Sequence, residues 1–453
     1  MTNPQMKRPT TPETAVPSGR FSRLASLGKL ATVVAGAMVT EGVRQLSTGQ
    51  RPNVKNLLLT PANIQRLTDQ LSQMRGAAMK VGQLLSMDGG ELLPPELTKI
   101  LSKLRSDARP MPKNQLISAL NRSWGPGWEK KFKSFSYTPL AAASIGQVHL
   151  AVMHDGRQLA IKVQYPGVRQ SIRSDIDNIS VILKVSNLIP RGIDINPLLE
   201  EAKRQLQEEA DYLKESAHIL RYRELLADSP EFVIPELYAE LTTKDVLAMS
   251  FVSGKPLESL KTAPQKERNR VMSKLFELLF REMFEFNCIQ TDPNFANYLY
   301  DEENKKIVLL DFGATRVFDA QRIQAYRRLM TAGMHEDPIA LENAALDIGY
   351  FSTSMKQAHK RLVLKILMQA SEPLRQQGSY PCGEMGLSVR MNESTSQLGT
   401  DRTFSHIAPT ETVFLHRKVG GIYMLAVQLK AHVDIGSLFL PFAVDLKTTN
   451  NKT

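Results

Sequence analysis

In the stretch Thr291–Arg316, TDPNFANYLYDEENKKIVLLDFGATR, two of the acidic groups stand out, Asp292 and Asp311. Asp292 is followed five residues later by Asn297, and Asp311 opens an Asp-Phe-Gly after the apolar run Ile307-Val308-Leu309-Leu310. A short apolar run of this kind reads as a buried strand, which places Asp311 at a strand end. Any one of these residues would suit an Asp-rich loop beside an ordinary strand. Their joint order is harder to obtain that way, and it predicts partners elsewhere in the chain.

The catalytic loop of protein kinases has the same Asp-to-Asn spacing and is likewise followed by a strand and an Asp-Phe-Gly. Phosphoryl transfer needs such a set because the nucleotide's charge must be met by metal, with a carboxylate and an amide oxygen as ligands near a second carboxylate. The partners this comparison asks for lie upstream. Ala141-Ala142-Ala143-Ser144-Ile145-Gly146-Gln147-Val148-His149-Leu150 is a small-residue loop running into an alternating strand, and His154-Asp155-Gly156-Arg157 reads as a hairpin turn. The returning strand, Leu159-Ala160-Ile161-Lys162-Val163, sets a lysine among apolar residues. This resembles a kinase amino-terminal lobe, in which a small-residue loop covers the phosphates and the strand lysine contacts them. Ala141, Ala142, Ala143 and Ser144 are then the nucleotide-facing loop. Alanines stand where glycines are expected, and a methyl where backbone N–H groups approach phosphate should alter the cradle.

Residues 197 to 228 read as one long helix holding Glu208, Glu209, Asp211 and Glu215. Six residues separate Glu209 from Glu215, about 240° around a helix, so one can meet Lys162 while the other faces elsewhere. Glu215 is assigned to Lys162, and Glu208 to a solvated face. Val246 to Gly254 reads as a strand and a linker between lobes, where adenine would meet backbone groups around Met249 and Phe251. Val271 to Phe286 is helical by periodicity, and from Ala320 the pattern is chiefly helical. Arg316, Arg322, Arg327 and Arg328 suit surface or ion-pair positions. His416-Arg417-Lys418, between apolar segments, reads as a polar contact or a solvated turn.

Nearer the amino terminus, Leu67, Leu71, Met74, Ala78 and Leu85 fall on one helical face. Lys80 and Gln83, in the string KVGQ, lie on the opposite face and taken alone look like solvent residues. A second amphipathic helix follows Pro95, through Leu97, Ile100, Leu101 and Leu104, and ends at Arg109-Pro110-Met111-Pro112. Residues 1 to 20 carry Pro4, Pro9, Pro12 and Pro17 and are expected to be disordered.

At 453 residues the chain exceeds a single typical core, which favours a two-lobed domain with added segments. The net charge is +11, and eight Lys or Arg against Glu13 and Glu41 place +6 of it in the first 60 residues. Without interleaved aromatics or a nucleic-acid motif, that front suits an anionic membrane surface better than nucleic acid; a solvated basic tail fits equally. Leu30 to Val39 is apolar but shorter than the roughly 20 residues a bilayer demands. Its small residues, Ala31, Thr32, Ala35, Gly36 and Thr40, allow close helix approach, so a homodimer or core contact stands beside lipid contact. Gly421 to Val444, broken by Lys430, His432 and Asp434, reads as a core helix. Two cysteines, Cys288 and Cys382, suit a reducing compartment, eight histidines show no metal-ligand spacing, and no secretory signal is expected ahead of the fold.

In order, KVGQ, AAASIGQVH, LAIK, EADYLKE, TDPNFAN and LLDFGATR are similar to the UbiB/AarF (ABC1-type) family of atypical protein-kinase-like proteins, most of all to its branch of coenzyme Q biosynthesis ATPases. The likeness spans roughly residues 20 to 445, and KVGQ with the Ala-rich loop is its most specific part. It implies an α+β, two-lobed kinase-like fold with a helical amino-terminal extension. The expected divisions are a tail at 1–20, a basic and apolar helix at 21–50 for membrane or dimer contact, an extension carrying KVGQ at 55–125, an amino-terminal lobe at 126–255 and a mainly helical carboxyl-terminal lobe at 256–453.

The resemblance further implies that Lys80 and Gln83 occupy the region where a conventional kinase receives its protein substrate. With Glu209 and Asp211, the family's Glu-x-Asp, they gate it, Glu209 pairing with Lys80 and leaving Glu215 to Lys162. Asn297 and Asp311 would hold Mg²⁺, Lys162 would contact ATP, and Asp292 occupies the catalytic-base position, although Gln290 and Thr291 replace the usual His-Arg before it. The implied activity is Mg-dependent ATP hydrolysis supporting ubiquinone biosynthesis, at a membrane surface, with membrane lipids or isoprenoid quinone precursors and other ubiquinone-biosynthesis enzymes as partners. A true kinase for a protein or an isoprenoid alcohol, and a nucleotide-gated scaffold, are the alternatives. Only Asp445 to Thr453 follow Val444, so the carboxyl-terminal membrane pair of some members is not matched. Few basic residues in the first twenty make a poor transit peptide; the expected place is the cytoplasmic face of a bacterial inner membrane, ahead of the matrix face in a mitochondrion.

Overall fold

A computed structural model describes residues 71, 74–85, 110–185, 195–352, 355–400 and 409–446. The proline-rich tail, the basic front and the amphipathic helix after Pro95 lie outside them. In chain order the elements begin with α1 (Arg75–Leu85), α2 (Lys113–Trp124), β1 (Phe132–Phe135), β2 (Ala141–Ala142), β3 (Gly146–Met153), β4 (Gln158–Gln164), α3 (Val168–Val185), α4 (Asn196–Glu209) and α5 (Tyr212–Leu225). They continue with β5 (Phe232–Val233), β6 (Val246–Ser250), β7 (Lys255–Pro256), α6 (Gln265–Phe284), β8 (Cys288–Gln290), β9 (Tyr298–Asp301), β10 (Lys306–Leu309) and β11 (Thr315–Val317). The last are α7 (Ala320–Met334), α8 (Pro338–Ile348), α9 (Gln357–Ala370), α10 (Glu372–Arg375), β12 (Tyr380–Pro381), α11 (Leu387–Thr400), α12 (Thr410–Gln428), β13 (His432–Val433) and α13 (Ile435–Phe439). Two compact units divide the described residues: one holds those up to Ser216 together with Glu236–Phe251, the other Ala217–Pro235 together with those from Val252 onward.

The first unit is built on an antiparallel sheet in the order β1-β3-β4-β6, with β2 pairing β3. Gly156, at φ +92°, makes the β3–β4 turn. Because successive strand residues point to opposite faces, Leu159, Ile161 and Val163 of β4 enter a core with Leu116, Leu120, Trp128 and Phe132. Lys162 and Gln164 share the other face. At the start of β3 a Cβ on Gly146 would stand 2.3 Å from the carbonyl oxygen of Val163, so only glycine lets these strands meet there. A second core joins α1, through Ala77, Ala78 and Val81, to α3 and α4, through Ile172, Ile176, Ala202 and Leu206.

His149 of β3 is completely buried. Its Nδ1 lies 2.8 Å from the carbonyl of Ser136 and its Nε2 lies 2.8 Å from Gln147 Nε2. A carbonyl accepts and an amide nitrogen donates, so the proton belongs on Nδ1. Gln147 Oε1 in turn accepts the Met111 N–H at 2.9 Å.

In the second unit a sheet runs β5-β10-β9-β7, with β8–β11 and β12–β13 as separate pairs. Helix α6 crosses its core with Val271, Met272, Leu275, Phe276, Leu279, Phe280 and Met283 buried. The stretch Gly421 to Val444 is not one core helix: α12 stops at Gln428, Lys430 takes φ +48°, and β13 and α13 follow. Lys430, His432 and Asp434, which interrupt the apolar pattern, are where the chain turns. No described helix is long and apolar enough to cross a membrane.

Burial drives the His149 pKa from 6.5 down to about 4. As pH falls through that window the unfolded chain gains a proton that the folded chain refuses, so stability is lost, by up to roughly 3 kcal/mol for this group. Denaturation at pH 7 and pH 5 is expected to show His149→Asn less acid-sensitive than the parent; equal sensitivity contradicts the assignment.

Candidate functional site

In the first unit Lys162 sits mid-sheet, opposite Val148 of β3 and Leu247 of β6. Its Nζ lies 2.9 and 3.0 Å from the two carboxylate oxygens of Glu215. Both side chains are buried, and an ammonium out of water is tolerable only with such a partner. The face of Tyr212 lies 5.1 Å from the same Nζ. Lys80 is bonded to Glu209 and is 4% exposed, which corrects the solvent position that the helical face alone assigns it. The α1 backbone includes Gln83, whose side chain lies outside the described residues.

The long helix expected over 197–228 is corrected too. The chain breaks at Ala210 and Asp211, giving α4 and α5. Asp211 Oδ1 accepts the Leu213 N–H at 3.1 Å, the geometry of a helix N-cap. Glu209 and Glu215 therefore diverge because two helices meet, and not because they stand on two faces of one. An Asp directly before an apolar helical run was the signal.

Ala141 and Ala142 form β2, with Ala143 and Ser144 in the loop that follows. A Cβ on Gly76 of α1 would lie 2.9 Å from Ile145 Cγ2 and 3.0 Å from the Ser144 carbonyl oxygen, so α1 rests directly on the Ala-rich loop. Met249 is buried within β6. The Phe251 N–H donates to the Gln158 carbonyl at 2.9 Å and is therefore engaged within the unit.

In the second unit the loop from Gln290 to Asn297 is closed by its own polar groups. Gln290 Oε1 accepts the Asp292 N–H and Gln290 Nε2 donates to the Asp292 carbonyl, both at 3.1 Å. Thr291 donates through Oγ1 and N–H to the Ala314 carbonyl at 2.8 and 3.1 Å. The two residues that depart from His-Arg are thus what fixes the loop. Asn297 Nδ2 donates to the Asp292 carbonyl at 2.8 Å and to its Oδ2 at 3.2 Å. The Leu310 N–H donates to the Asn297 carbonyl at 3.0 Å, and the Gly313 N–H to Asp311 Oδ1 at 2.9 Å. Phe312 is buried with its ring 4.8 Å from that of Tyr222.

The sequence leaves His416-Arg417-Lys418 as a polar contact or a solvated turn; the structure makes it a polar contact within a helix, with partners for Arg417 and Lys418 that the sequence reading did not name. On α12, Arg417 forms an ion pair with Asp292, and Lys418 Nζ lies 2.7 Å from Glu282 Oε2, both partners almost fully buried. Helix α12 comes this close because residue 421 is glycine: a Cβ there would fall 2.1 Å from Pro293 Cγ. Glu282 Oε1 also receives the Tyr222 hydroxyl at 2.7 Å and the Gln290 N–H at 3.3 Å. Burial alone would lower the Lys418 pKa, but the facing carboxylate of Glu282 and the Tyr298 hydroxyl hold it above its ordinary value. His416 stacks on Tyr350 and bonds its hydroxyl. Adjacent cations inside an otherwise apolar helix call for partners, above all where one of them is buried as Lys418 is, and that was the available signal.

The donors suit a hard cation. Both Asn297 Nδ2 contacts are to Asp292, which turns the amide oxygen away from that residue, and an amide oxygen with the Asp311 carboxylate is the oxygen-only chemistry Mg²⁺ prefers.

Removing one member of a buried pair leaves an uncompensated charge. Lys418→Met is therefore expected to cost about 3–5 kcal/mol in denaturant unfolding, and adding Glu282→Gln to recover more than half of it. Strict additivity of the two substitutions contradicts this.

Residues 103–345 match the family model described as the ABC1 atypical kinase-like domain. The chain is 36% identical over 439 residues to the atypical kinase COQ8, mitochondrial, of Saccharomyces cerevisiae, covering 96% of this chain and 86% of that protein. It is 36% identical over 429 residues to the atypical kinase COQ8B, mitochondrial, of Rattus norvegicus, covering 94% and 81%. Among solved structures, Rv3197 from Mycobacterium tuberculosis, in its complex with erythromycin, shares the fold with a TM-score of 0.57 at 24% identity, over 85% of this chain and 96% of that one. The expected α+β kinase-like fold is borne out, and the chain belongs to the ABC1 (UbiB/AarF) family of atypical kinase-like proteins.

Proposed function

We propose that the protein binds ATP with Mg²⁺ and hydrolyses it, as an atypical kinase-like ATPase supporting ubiquinone biosynthesis. Lys162, held by Glu215, contacts the nucleotide phosphates, beside the loop Ala141–Ser144, while Met249 and Phe251 border the adenine. Asn297 and Asp311 hold the metal, which when bound neutralises phosphate charge.

The observation that carries the ATPase reading over a kinase reading is the ion pair between Arg417 and Asp292. The carboxylate at the base position already receives a guanidinium and the Asn297 amide. An acceptor hydroxyl has to displace Arg417 to use it. Hydrolysis is less demanding, because water is smaller than any acceptor alcohol and can approach the phosphoryl group with the ion pair intact, while a loose transition state leaves little for a base to do with either acceptor.

Lys80, Gln83, Glu209 and Asp211 restrict the entry of larger acceptors. The burial of the Lys80–Glu209 pair and the seating of α1 on the Ala-rich loop support this. The basic front supports work at an anionic membrane surface, and family membership supports quinone precursors and other ubiquinone-biosynthesis enzymes as partners.

ADP release by the purified protein, with and without anionic liposomes, tests the site. Asp311→Asn is expected to lower it by at least about tenfold, the least that loss of even an outer-shell partner costs a metal site, and an unchanged rate sinks the nucleotide assignment. Lys80→His combined with Gln83→Ala is expected to raise autophosphorylation; no change rules out the gate.

A further inference from the structure

Between Glu209 and Glu215 the chain leaves one helix and enters another, and the peptide at the break is gripped by side chains that nucleotide binding does not use. In an uninterrupted helix the Ala210 carbonyl would accept the Lys214 N–H. Here the N–H groups of Lys214 and Glu215 turn to the Asp211 carbonyl instead, at 3.0 and 3.3 Å. The released Ala210 carbonyl accepts from Gln164 Nε2 at 2.9 Å and from Arg169 Nε and Nη2 at 3.1 and 2.8 Å.

The neighbouring Lys244 carbonyl is held by the same groups. It accepts from Gln164 Nε2 at 3.2 Å, Arg169 Nη2 at 3.0 Å and the Tyr212 N–H at 3.1 Å. Asp245 Oδ1, 2.8 Å from Arg169 Nη2, orients the guanidinium. Gln164 is 4% exposed, so its amide is shielded from solvent at these carbonyls. A rigid planar fork and a buried amide leave the break one geometry.

Gln164 stands two residues after Lys162 on the same face of β4. One strand therefore sets both the lysine that meets Glu215 and the amide that fixes the peptide delivering Glu215. We propose that Gln164 and Arg169 are positioning residues, whose grip on the Ala210 carbonyl aims Glu209 at Lys80 and Glu215 at Lys162 together. A shift of that peptide displaces both carboxylates, so the gating pair and the nucleotide pair are coupled through it. This rests on the reading that Lys162 and Glu215 serve the nucleotide.

The test uses the full chain and Arg169→Met, alone and with Glu215→Gln. Because a mispositioned Lys162 weakens ground-state and transition-state binding alike, Arg169→Met is expected to raise KM for ATP about tenfold with kcat changed less than about threefold. In the Glu215→Gln background the same substitution is expected to change KM less than about twofold, as coupled residues do. A full tenfold change in that background, or an unchanged KM in folded protein, overturns the proposal. If Arg169→Met fails to fold by circular dichroism, Arg169→Lys and Asp245→Ala replace it, and an unchanged KM in both overturns the proposal equally. Hydrogen exchange separates the two readings. If Glu215→Gln alone leaves KM unaltered, the nucleotide assignment fails, whereas the grip is read from the Tyr212 amide, which is expected to exchange faster in the Arg169 variants. Unaltered exchange there overturns the grip.

Discussion

The first unit depends on one short peptide delivering two carboxylates to lysines on different elements. A continuous helix over Glu209 to Glu215 would fix their directions by helical pitch alone. The break at Ala210 frees them from that rule, and the capping of α5 by Asp211 lets a new helix start at once. The cost is the released Ala210 carbonyl, which lies beside that of Lys244, and buried carbonyls demand donors. Gln164 and Arg169 supply them. The buried lysine at position 162 then has a carboxylate on a rigid mount, which lets a charge persist in the middle of a sheet.

The second unit meets the same difficulty with a different device. Its loop from Gln290 to Asn297 carries a carboxylate, and the helix behind it carries consecutive cations. Arg417 answers Asp292 and Lys418 answers Glu282, while Tyr222 and Gln290 complete the bonds of Glu282. A buried pair of this kind adds little net stability. Its value here is registry: α12, α6 and the loop share one arrangement in which these charges are satisfied, and Gly421 permits the approach.

Much of this was legible in the sequence because it is local. The hairpin carrying Lys162, the strand before Asp311 and the Asp292–Asn297 spacing are each written within a dozen residues. The departures were legible in part: Asp211 before Tyr212 and Leu213 is a helix start, yet the apolar periodicity on both sides reads through it as one helix. Lys80 looked like a solvent residue because its partner lies 129 positions away. The pairs Arg417–Asp292 and Lys418–Glu282 are likewise non-local, so the sequence offered a polar contact for this triplet without its partners. Local patterns identify elements, whereas the partner of a buried charge is a fact of tertiary packing.

We propose that the carboxylate of Asp292, paired with Arg417, leaves water as the acceptor of the phosphoryl group. Following the label from ATP marked at its γ-phosphate, in the purified protein with anionic liposomes and isoprenoid alcohols present, tests this directly. Recovery of the label as inorganic phosphate is the predicted result. Stoichiometric label on the protein or on the lipid alcohol would contradict it.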